Sequence, residues 1–343
     1  MNTITFNNGE ETVACEPGET ILLAGLRNGL RLPYECASGG CGACKVRLVE
    51  GRIQSRWPDA TGITERDRRR GDRILMCQST PDSAVDVRVH WQGDPGEDPG
   101  NEPAPTRHPA VLTRRDMLTA DTALFEFSLD GPMEYLSGQF VQIEFPDDSR
   151  RAYSMSRPFR SEAANIVELL VRAKPGGTGS AWLFDKLSIG DDLTVEGPYG
   201  RAYVRPDSTR KVVCLAGGTG TAPVLSIATS VVEQRGGEHV VIYVGARAAE
   251  DLVLAERFAE LREAGARVVA AVDAGAPGWR MEHPEWGEIR VGTALDHLAE
   301  DHPDLSQSDL YLGGPTPMID AALRRLVREG TASADRVFLD RFN

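Results

Sequence analysis

The chain has 343 residues, too many for one compact hydrophobic core and suited to two or three domains of ordinary size. Hydrophobic residues make up 41% and charged residues 26%, as in soluble globular proteins, and no apolar run approaches the roughly 18 residues that would span a membrane. The formal net charge of −13 argues against nucleic acid as the main partner, because phosphate binding needs a positive surface, and it is compatible with docking on a basic patch of another protein.

The N-terminal region predicts a small mixed α/β domain over residues 1–92. Its first residues contain no basic segment followed by an apolar one, so we expect no signal peptide and a cytoplasmic protein. Asn8-Gly9 is a strong turn signal for a hairpin, and Gly29 is placed to end a helix. The expected elements are strands over Thr3–Phe6, Thr12–Cys15, Lys45–Val49 and Val85–Val89 and a helix over Glu19–Asn28.

Four of the six cysteines have the spacing of a plant-type [2Fe–2S] site. Cys36, Cys41 and Cys44 form a C-x4-C-x2-C motif, and Cys77 lies far downstream, so three metal ligands would come from one loop. Glycine and other small residues in that loop allow backbone N–H groups to approach the inorganic sulfides. A zinc ion or buried structural thiols are the alternatives, but zinc sites usually pair two short CxxC-like knuckles.

The other two cysteines, Cys15 and Cys214, lie in apolar, strand-like contexts. We expect them to be buried as small hydrophobic residues, and we expect no disulfides in a cytoplasmic protein. With the cysteine motif, the first ninety or so residues resemble plant-type ferredoxins. The resemblance implies a β-grasp fold for this domain.

Residues 93–108 are dense in proline, glycine and acidic residues and predict an inter-domain linker. Short strand-like runs separated by turns follow over residues 109–208, a spacing that favours an antiparallel barrel or sandwich. The expected strands are Ala123–Leu129, Gln139–Phe145, Ile166–Arg172 and Asp192–Glu196, and a helix is expected over Ala181–Leu187.

Residues 209–343 alternate between strand and helix patterns, which predicts a parallel sheet covered by helices on both faces, as in Rossmann-like domains. The expected strands are Lys211–Ala216, His239–Gly245, Arg267–Val272 and Asp309–Leu312, and the expected helices are Pro223–Gln234, Leu252–Ala264, Val291–Glu300 and Thr316–Glu329.

Two motifs in the barrel-like region have side chains suited to a flavin nucleotide. In Arg151-Ala152-Tyr153-Ser154 an arginine can neutralise a pyrophosphate, an aromatic ring can pack on a flavin, and a hydroxyl can bond near its reactive nitrogen. The glycine-rich turn before the expected helix would form an anion site at the helix N-terminus through Gly177, Gly179 and Ser180. Each motif alone is weak, because an isolated Arg–Tyr pair is commonly a surface contact.

A further glycine-rich turn follows a strand and opens a helix, as a phosphate-binding turn should. It consists of Gly217, Gly218, Thr219 and Gly220 and continues to Pro223, which suits the first turn of a helix. Arg247, at the end of the next strand, could contact a 2′-phosphate and so favour NADPH. The nearby Glu250 and Asp251 would repel a phosphate, so we expect NADH.

The order of these motifs, with Glu196-Gly197-Pro198-Tyr199-Gly200 between them, resembles the ferredoxin–NADP reductase superfamily from Pro109 to Phe342. The resemblance implies that the RxYS and GxxS motifs hold FAD and that Ser154 and Tyr153 act at its reactive ring. It also implies that Gly314-Pro315 lies near the nicotinamide, with Gly313 where a cysteine is usual. Phe342 would cover the flavin, or else anchor the C-terminus as a core aromatic.

The whole arrangement resembles the reductase components of bacterial multicomponent oxygenases, which include soluble di-iron monooxygenases and ring-hydroxylating dioxygenases. This resemblance implies electron flow from NADH through FAD and [2Fe–2S] to a hydroxylase, in a protein expected to be a monomer. A reductase for a cytochrome P450 or a separate ferredoxin, and a flavin and iron–sulfur redox sensor, are the alternatives.

Overall fold

The computed structural model describes residues 2–91, 102–273 and 280–342, with only the backbone of residues 280–282. The first domain is a five-stranded mixed sheet, in the order β2-β1-β7-β3-β5, crossed by one helix. A separate pair, β4-β6, lies beside it. Its elements are β1 (Asn2–Phe6), β2 (Glu11–Cys15), α1 (Ile21–Arg27), β3 (Lys45–Glu50), β4 (Ile53–Ser55), α2 (Glu65–Arg70), β5 (Arg73–Leu75), β6 (Ser79–Pro81) and β7 (Val85–Arg88).

The local signals of this domain are confirmed. The chain turns between β1 and β2 with positive φ angles at Asn8 and Gly9, as the hairpin signal predicts. α1 begins after Thr20, whose hydroxyl accepts the Leu23 N–H at 3.2 Å, and it ends before Gly29 at φ 79°. Cys15 is buried against the sheet, as expected.

The second domain is a six-stranded antiparallel sheet with the order β11-β10-β13-β8-β9-β12. A bridge between Met155, just after β11, and Leu169 of β12 joins the two edges, so the sheet closes into the predicted barrel. Its elements are β8 (Thr106–Met117), β9 (Thr122–Leu129), β10 (Phe140–Glu144), β11 (Arg150–Ser154), β12 (Ile166–Arg172), α3 (Thr178–Asp185) and β13 (Asp192–Tyr199).

The longest barrel strand, β8, has no counterpart among the predicted elements. It begins at Thr106, three residues inside the segment predicted as linker, and most of the remaining linker lies outside the described residues. Pro109 and several charged side chains interrupt the apolar alternation that would otherwise indicate a strand. Pairing with β9 and β13 on its two sides fixes this segment as a strand.

The third domain is a seven-stranded sheet with the order β17-β18-β16-β15-β14-β19-β20, parallel except for the edge strand β17. Helices cover both faces, as predicted: α4 and α5 pack on one face and α6 and α7 on the other. The elements are β14 (Lys211–Gly217), α4 (Thr221–Arg235), β15 (Val240–Ala246), α5 (Ala255–Glu263), β16 (Arg267–Val272), β17 (Arg280–His283), β18 (Gly287–Val291), α6 (Ala294–Asp301), β19 (Ser308–Pro315), α7 (Thr316–Ala322), continued by a π-helix (Leu323–Arg328), and β20 (Val337–Phe342).

Two features of this domain differ from the prediction. The helix predicted over Val291–Glu300 begins only at Ala294, because β18 runs through Val291 and Thr293 caps the helix. Gly292, with φ 121°, makes the turn between strand and helix. The apolar C-terminal segment forms the strand β20, which the sequence analysis did not assign. None of the helices in the described ranges is long and apolar enough to cross a bilayer.

Candidate functional site

One cavity of about 1690 Å³ lies where the three domains meet. The first domain contributes Cys36 to its wall, together with Ser38, Gly40 and Trp57. The other walls contain most of the nucleotide-site residues predicted from the sequence, namely Arg151, Tyr153, Ser154, Gly177, Gly179, Ser180, Gly217, Gly218, Thr219, Arg247, Pro315 and Phe342. Motifs that are separated by up to three hundred residues therefore face a single space.

The four predicted metal ligands form two pairs. The Cys44 and Cys77 sulfurs lie 3.2 Å apart, and the Cys36 sulfur accepts the Cys41 N–H at 3.4 Å. Within the described ranges, no three His, Cys, Asp or Glu side chains converge on a single metal position. A [2Fe–2S] cluster takes two cysteines at each of two irons. The paired arrangement thus fits the cluster.

The small residues of the cysteine loop also permit backbone conformations and close backbone contacts that larger side chains would prevent. Gly39 and Gly42 have φ angles of 90° and 77°, a region where side chains are strained. A Cβ atom at Gly42 would lie 3.0 Å from the carbonyl oxygen of Gly62, whose own N–H donates to the Gly39 carbonyl at 2.9 Å. The segment 57–62 is therefore packed directly on the loop.

The barrel holds the other side of the loop through contacts that the sequence analysis did not find. The buried Gln142 on β10 donates from Nε2 to the carbonyl of Ala37, next to Cys36, at 2.6 Å. Phe140 and Tyr199 of the barrel belong to the apolar core of the first domain. A buried glutamine on a strand has no local signature, because its partner lies 105 residues away.

The RxYS motif places its arginine in the cavity wall rather than in the interior. Arg151 is half-buried, and its guanidinium carbon lies 5.9 Å from the centre of the Trp57 ring. Its neighbour Arg150 is the buried arginine and forms ion pairs with Glu144 and Glu196. Of these two arginines, Arg151 is the one that lines the cavity, and among the described residues it has no carboxylate partner.

The GxxS motif forms the turn at the start of α3. Gly177 is the residue before the helix and makes no side-chain cap, so the first N–H groups of α3 are free to meet an anion. Ser180 accepts the Lys174 N–H at 2.9 Å, which fixes the turn. A Cβ atom at Gly179 would lie 3.1 Å from Cγ of Arg151, so glycine lets the two motifs meet.

Ser154 has an acidic partner that was not predicted. Its hydroxyl donates to Oδ2 of Asp340 on β20 at 2.5 Å, and both residues line the cavity. Burial raises the pKa of Asp340 to about 7, while the Ser154 hydrogen bond opposes that rise. The register of β20 beside β19 brings this carboxyl to a residue 186 positions earlier. Only the pairing of these strands reveals the contact.

Gly220 and Gly314, both predicted as nucleotide-binding, are absent from the cavity wall. A Cβ atom at Gly220 would lie 2.0 Å from the carbonyl oxygen of Gly313, and one at Gly313 would lie 2.8 Å from that of Gly220. These turns thus pack backbone against backbone. A larger residue at Gly220 or Gly313 would force the two turns apart.

Three protein-family models match successive parts of the chain. They are a 2Fe-2S iron-sulfur cluster binding domain at residues 4–82, an oxidoreductase FAD-binding domain at 109–203 and an oxidoreductase NAD-binding domain at 214–324. The chain is 42% identical over 335 residues to the ferredoxin–NAD(+) reductase component of the alkene monooxygenase system of Xanthobacter autotrophicus, covering 98% of this chain and 99% of the relative. The chain belongs to the family of oxygenase reductase components.

Solved structures of this reductase family have the same architecture. The ferredoxin reductase in carbazole 1,9a-dioxygenase superposes with a TM-score of 0.85 at 30% identity, over 100% of this chain and 98% of that one. The Amycolatopsis cytochrome P450 reductase superposes with a TM-score of 0.82 at 29% identity, over 100% and 99%. The predicted order of ferredoxin, FAD and NAD domains is confirmed, and this reductase is an oxidoreductase that uses FAD, a [2Fe–2S] cluster and a nicotinamide dinucleotide.

The cavity of the reductase is larger than a usual site for one small ligand. Its volume exceeds the range of about 300–1,000 Å³ that is typical of a site for one small ligand. The part beside the NAD domain contains Arg247 and the carboxylates of Asp251, Asp273 and Asp296. Asp251 is also 3.4 Å from Arg172 of the barrel. Asp296 likewise pairs with Arg325, so arginines neutralise two of these three carboxylates.

Proposed function

We propose that this chain takes electrons from NADH, transfers them through FAD to its own [2Fe–2S] cluster and delivers them to the oxygenase component of a multicomponent oxygenase. One observation carries the proposal: a single cavity is lined by the flavin motifs, by the nicotinamide motifs and by Cys36 of the cluster loop. Donor, flavin and cluster would thus meet without movement of a domain.

FAD would lie along the barrel, with its pyrophosphate between Arg151 and the N-terminus of α3 at Gly177–Ser180. Tyr153 would pack on the flavin and its ribityl chain, and Phe342 would cover the ring from the C-terminal strand. FAD, when bound, supplies the conversion between a two-electron donor and a one-electron acceptor. The protein residues bind it, orient it and limit the access of water.

The nicotinamide dinucleotide would bind with its pyrophosphate on the turn of Gly217, Gly218 and Thr219, at the N-terminus of α4. Gly220 and Gly314 would support this turn by close backbone packing, and Pro315 would border the nicotinamide. We propose NADH as the donor, since the acidic residues that follow Arg247 in the sequence, Glu250 and Asp251, would disfavour a 2′-phosphate.

Ser154 and Asp340 would transfer the proton at the reactive nitrogen of the flavin. The Ser154 hydroxyl lies between the cavity and the Asp340 carboxyl, so it can pass a proton from the reactive nitrogen to Oδ2 when that carboxyl is ionised. Cys36 and Cys41 would hold one iron, and Cys44 and Cys77 the other. Gln142 would fix the loop at Ala37, on the side that faces the flavin.

The acceptor has a second candidate within the same chemistry. The names of two similar proteins specify a ferredoxin reductase, and a third specifies a cytochrome P450 reductase. A separate ferredoxin or a P450 is therefore the alternative acceptor. We also propose a cytoplasmic monomer: Cys15 and Cys214, the two cysteines outside the cluster motif, form no disulfide, and the exposed large apolar side chains of the described residues are scattered.

An anaerobic titration with NADH, and separately with NADPH, tests the relay. We expect NADH to bleach the flavin and cluster absorbance and to produce a rhombic low-temperature EPR signal, with NADPH much less effective. In Cys77→Ser the flavin should still be reduced while the cluster signal is lost. If the flavin of the wild type were reduced without any cluster signal, the relay would be rejected and the chain would be a simple flavin reductase.

A further inference from the structure

The negative charge of this protein is confined to the reductase module. Residues 1–91 contain 12 acidic and 12 basic side chains, whereas residues 92–343 contain 39 acidic and 26 basic ones. The domain that carries the cluster is therefore neutral. An acidic docking surface around the cluster, which the overall charge would favour, has no basis in this distribution.

Three of the twelve basic residues of the ferredoxin domain lie together on one face of α2. Arg66, Arg69 and Arg70 have the spacing i, i+3, i+4 and are all exposed. Within the part of the chain that the structure describes, none of these three has an acidic partner, and we call them the arginine face. By contrast, the neighbouring Arg68 is engaged by backbone carbonyl oxygens, those of Pro58 and Ala60.

The helix α2 packs beside the cluster loop, and its arginine face is turned to solvent. Asp67, on the opposite side of α2, pairs at 2.8 Å with Lys45, the residue after Cys44. Ala43, next to the same cysteine, is exposed, whereas Cys36 at the other end of the loop faces the flavin cavity. The end of the loop at Ala43 is therefore open to solvent on the side where α2 packs, and the end at Cys36 faces the flavin cavity.

We propose that the arginine face is the docking surface for the protein that accepts electrons, and that the acceptor presents an acidic surface around its own redox centre. This inference rests on the proposed function, since it concerns the exit of the same electrons. Unpaired guanidinium groups would steer a carboxylate-rich partner to the exposed end of the loop. They would also repel a basic partner from that position.

The test uses the holoenzyme reduced by NADH and two protein acceptors, an acidic cytochrome b5 domain and a basic cytochrome c. The variants are R66Q/R69Q/R70Q, which keeps good helix formers, and R66E/R69E/R70E. For cytochrome b5 we expect kcat/KM to fall by about 10-fold in the glutamine variant and further in the glutamate variant, with the salt dependence lost. For cytochrome c we expect no loss.

A matched control changes three exposed basic residues of the reductase module by the same six charge units: K186E/K211E/R328E. We expect its activity with cytochrome b5 to stay within about 2-fold of wild type. Equal losses in the control and the arginine-face variants, or unchanged rates in all of them, would overturn the docking proposal. Failure of NADH to reduce the cluster in the wild type, with no acceptor present, would instead reject the proposed function.

Discussion

The barrel meets its two neighbours through different kinds of contact. Toward the ferredoxin domain it contributes Phe140 and Tyr199 to that domain's apolar core, and Gln142 adds a hydrogen bond between neutral groups. Toward the NAD domain it has a smaller apolar cluster, in which Leu124 and Leu170 meet Ala222 and Val253. Polar contacts lie beside it, such as the two-pronged ion pair of Glu168 with Arg257 at 2.7 and 2.9 Å, around a large open cavity.

The difference matches the tasks of the two junctions. A nicotinamide must enter and leave in every turnover, so its junction needs space and groups that remain stable in water. Flavin and cluster stay bound, and transfer between them needs a constant separation, which a packed apolar interface maintains. The following variants test whether the packed junction and the open one can be disturbed independently.

The largest effect is expected at the packed junction. Tyr199 is buried between Phe140 and Tyr34, with ring centroids 5.9 and 6.2 Å away. Tyr199→Ala should lower the free energy of unfolding by about 3–5 kcal/mol, since it leaves a cavity between two domains. Denaturation followed by cluster absorbance would measure this loss. Tyr199→Phe keeps the ring and should lower the free energy of unfolding far less. Equal losses of stability in both variants would assign the effect to the hydrogen bond that the Tyr199 hydroxyl donates to Glu196.

The next largest effect is expected at the open junction. Ser154→Ala removes the hydroxyl beside the flavin position and should slow flavin reduction by NADH by about 100-fold, because misplacement at the reacting centre has effects of this size. Stopped-flow absorbance at the flavin band would measure the rate. Ser154→Thr retains a hydroxyl and should recover much of it. The redox potential of the cluster should not change in either variant.

A smaller effect is expected at Gln142. Gln142→Leu leaves the Ala37 carbonyl without its partner, which costs about 1–3 kcal/mol and should slow flavin-to-cluster transfer by about 10-fold. Flavin reduction by NADH should be unchanged. Gln139→Leu is the matched control, because this buried glutamine bonds only within the barrel, to Leu136 and Gly200. If the cluster of Gln142→Leu were reduced as fast as that of the wild type, Gln142 would have no role in electron transfer.

The smallest effect is expected in the pH profile. The pKa of Asp340 is raised to about 7 by burial, so its carboxyl is neutral below that pH and ionised above it. Turnover with a one-electron acceptor should therefore rise a few-fold as the pH passes upward through about 7. Asp340→Asn keeps a hydrogen-bond partner for Ser154 but cannot ionise, so this rise should be absent. A rise that persists in the variant would assign it to another group.

The sequence predicted best those elements whose signals are local. The hairpin at Asn8-Gly9, the apolar strand before Gly217 and the helix that follows it are confirmed, because turn residues and apolar runs act over a few positions. The strand β8 was missed and the start of α6 was wrong, because both depend on neighbours that are distant in sequence. Pro109 lies in β8 only because the strands on either side hold it there.

The sequence by itself determined the domain order and the cofactor set, because cysteine spacing and glycine turns are local requirements of the groups that they bind. Only the tertiary structure decided how these parts meet. The hydrogen bond of Ser154 with Asp340 and that of Gln142 with Ala37 join residues more than a hundred positions apart. The packing of Gly220 on Gly313 is likewise a contact between distant turns. Strand register and domain packing create such contacts, and neither leaves a signal in the residues nearby.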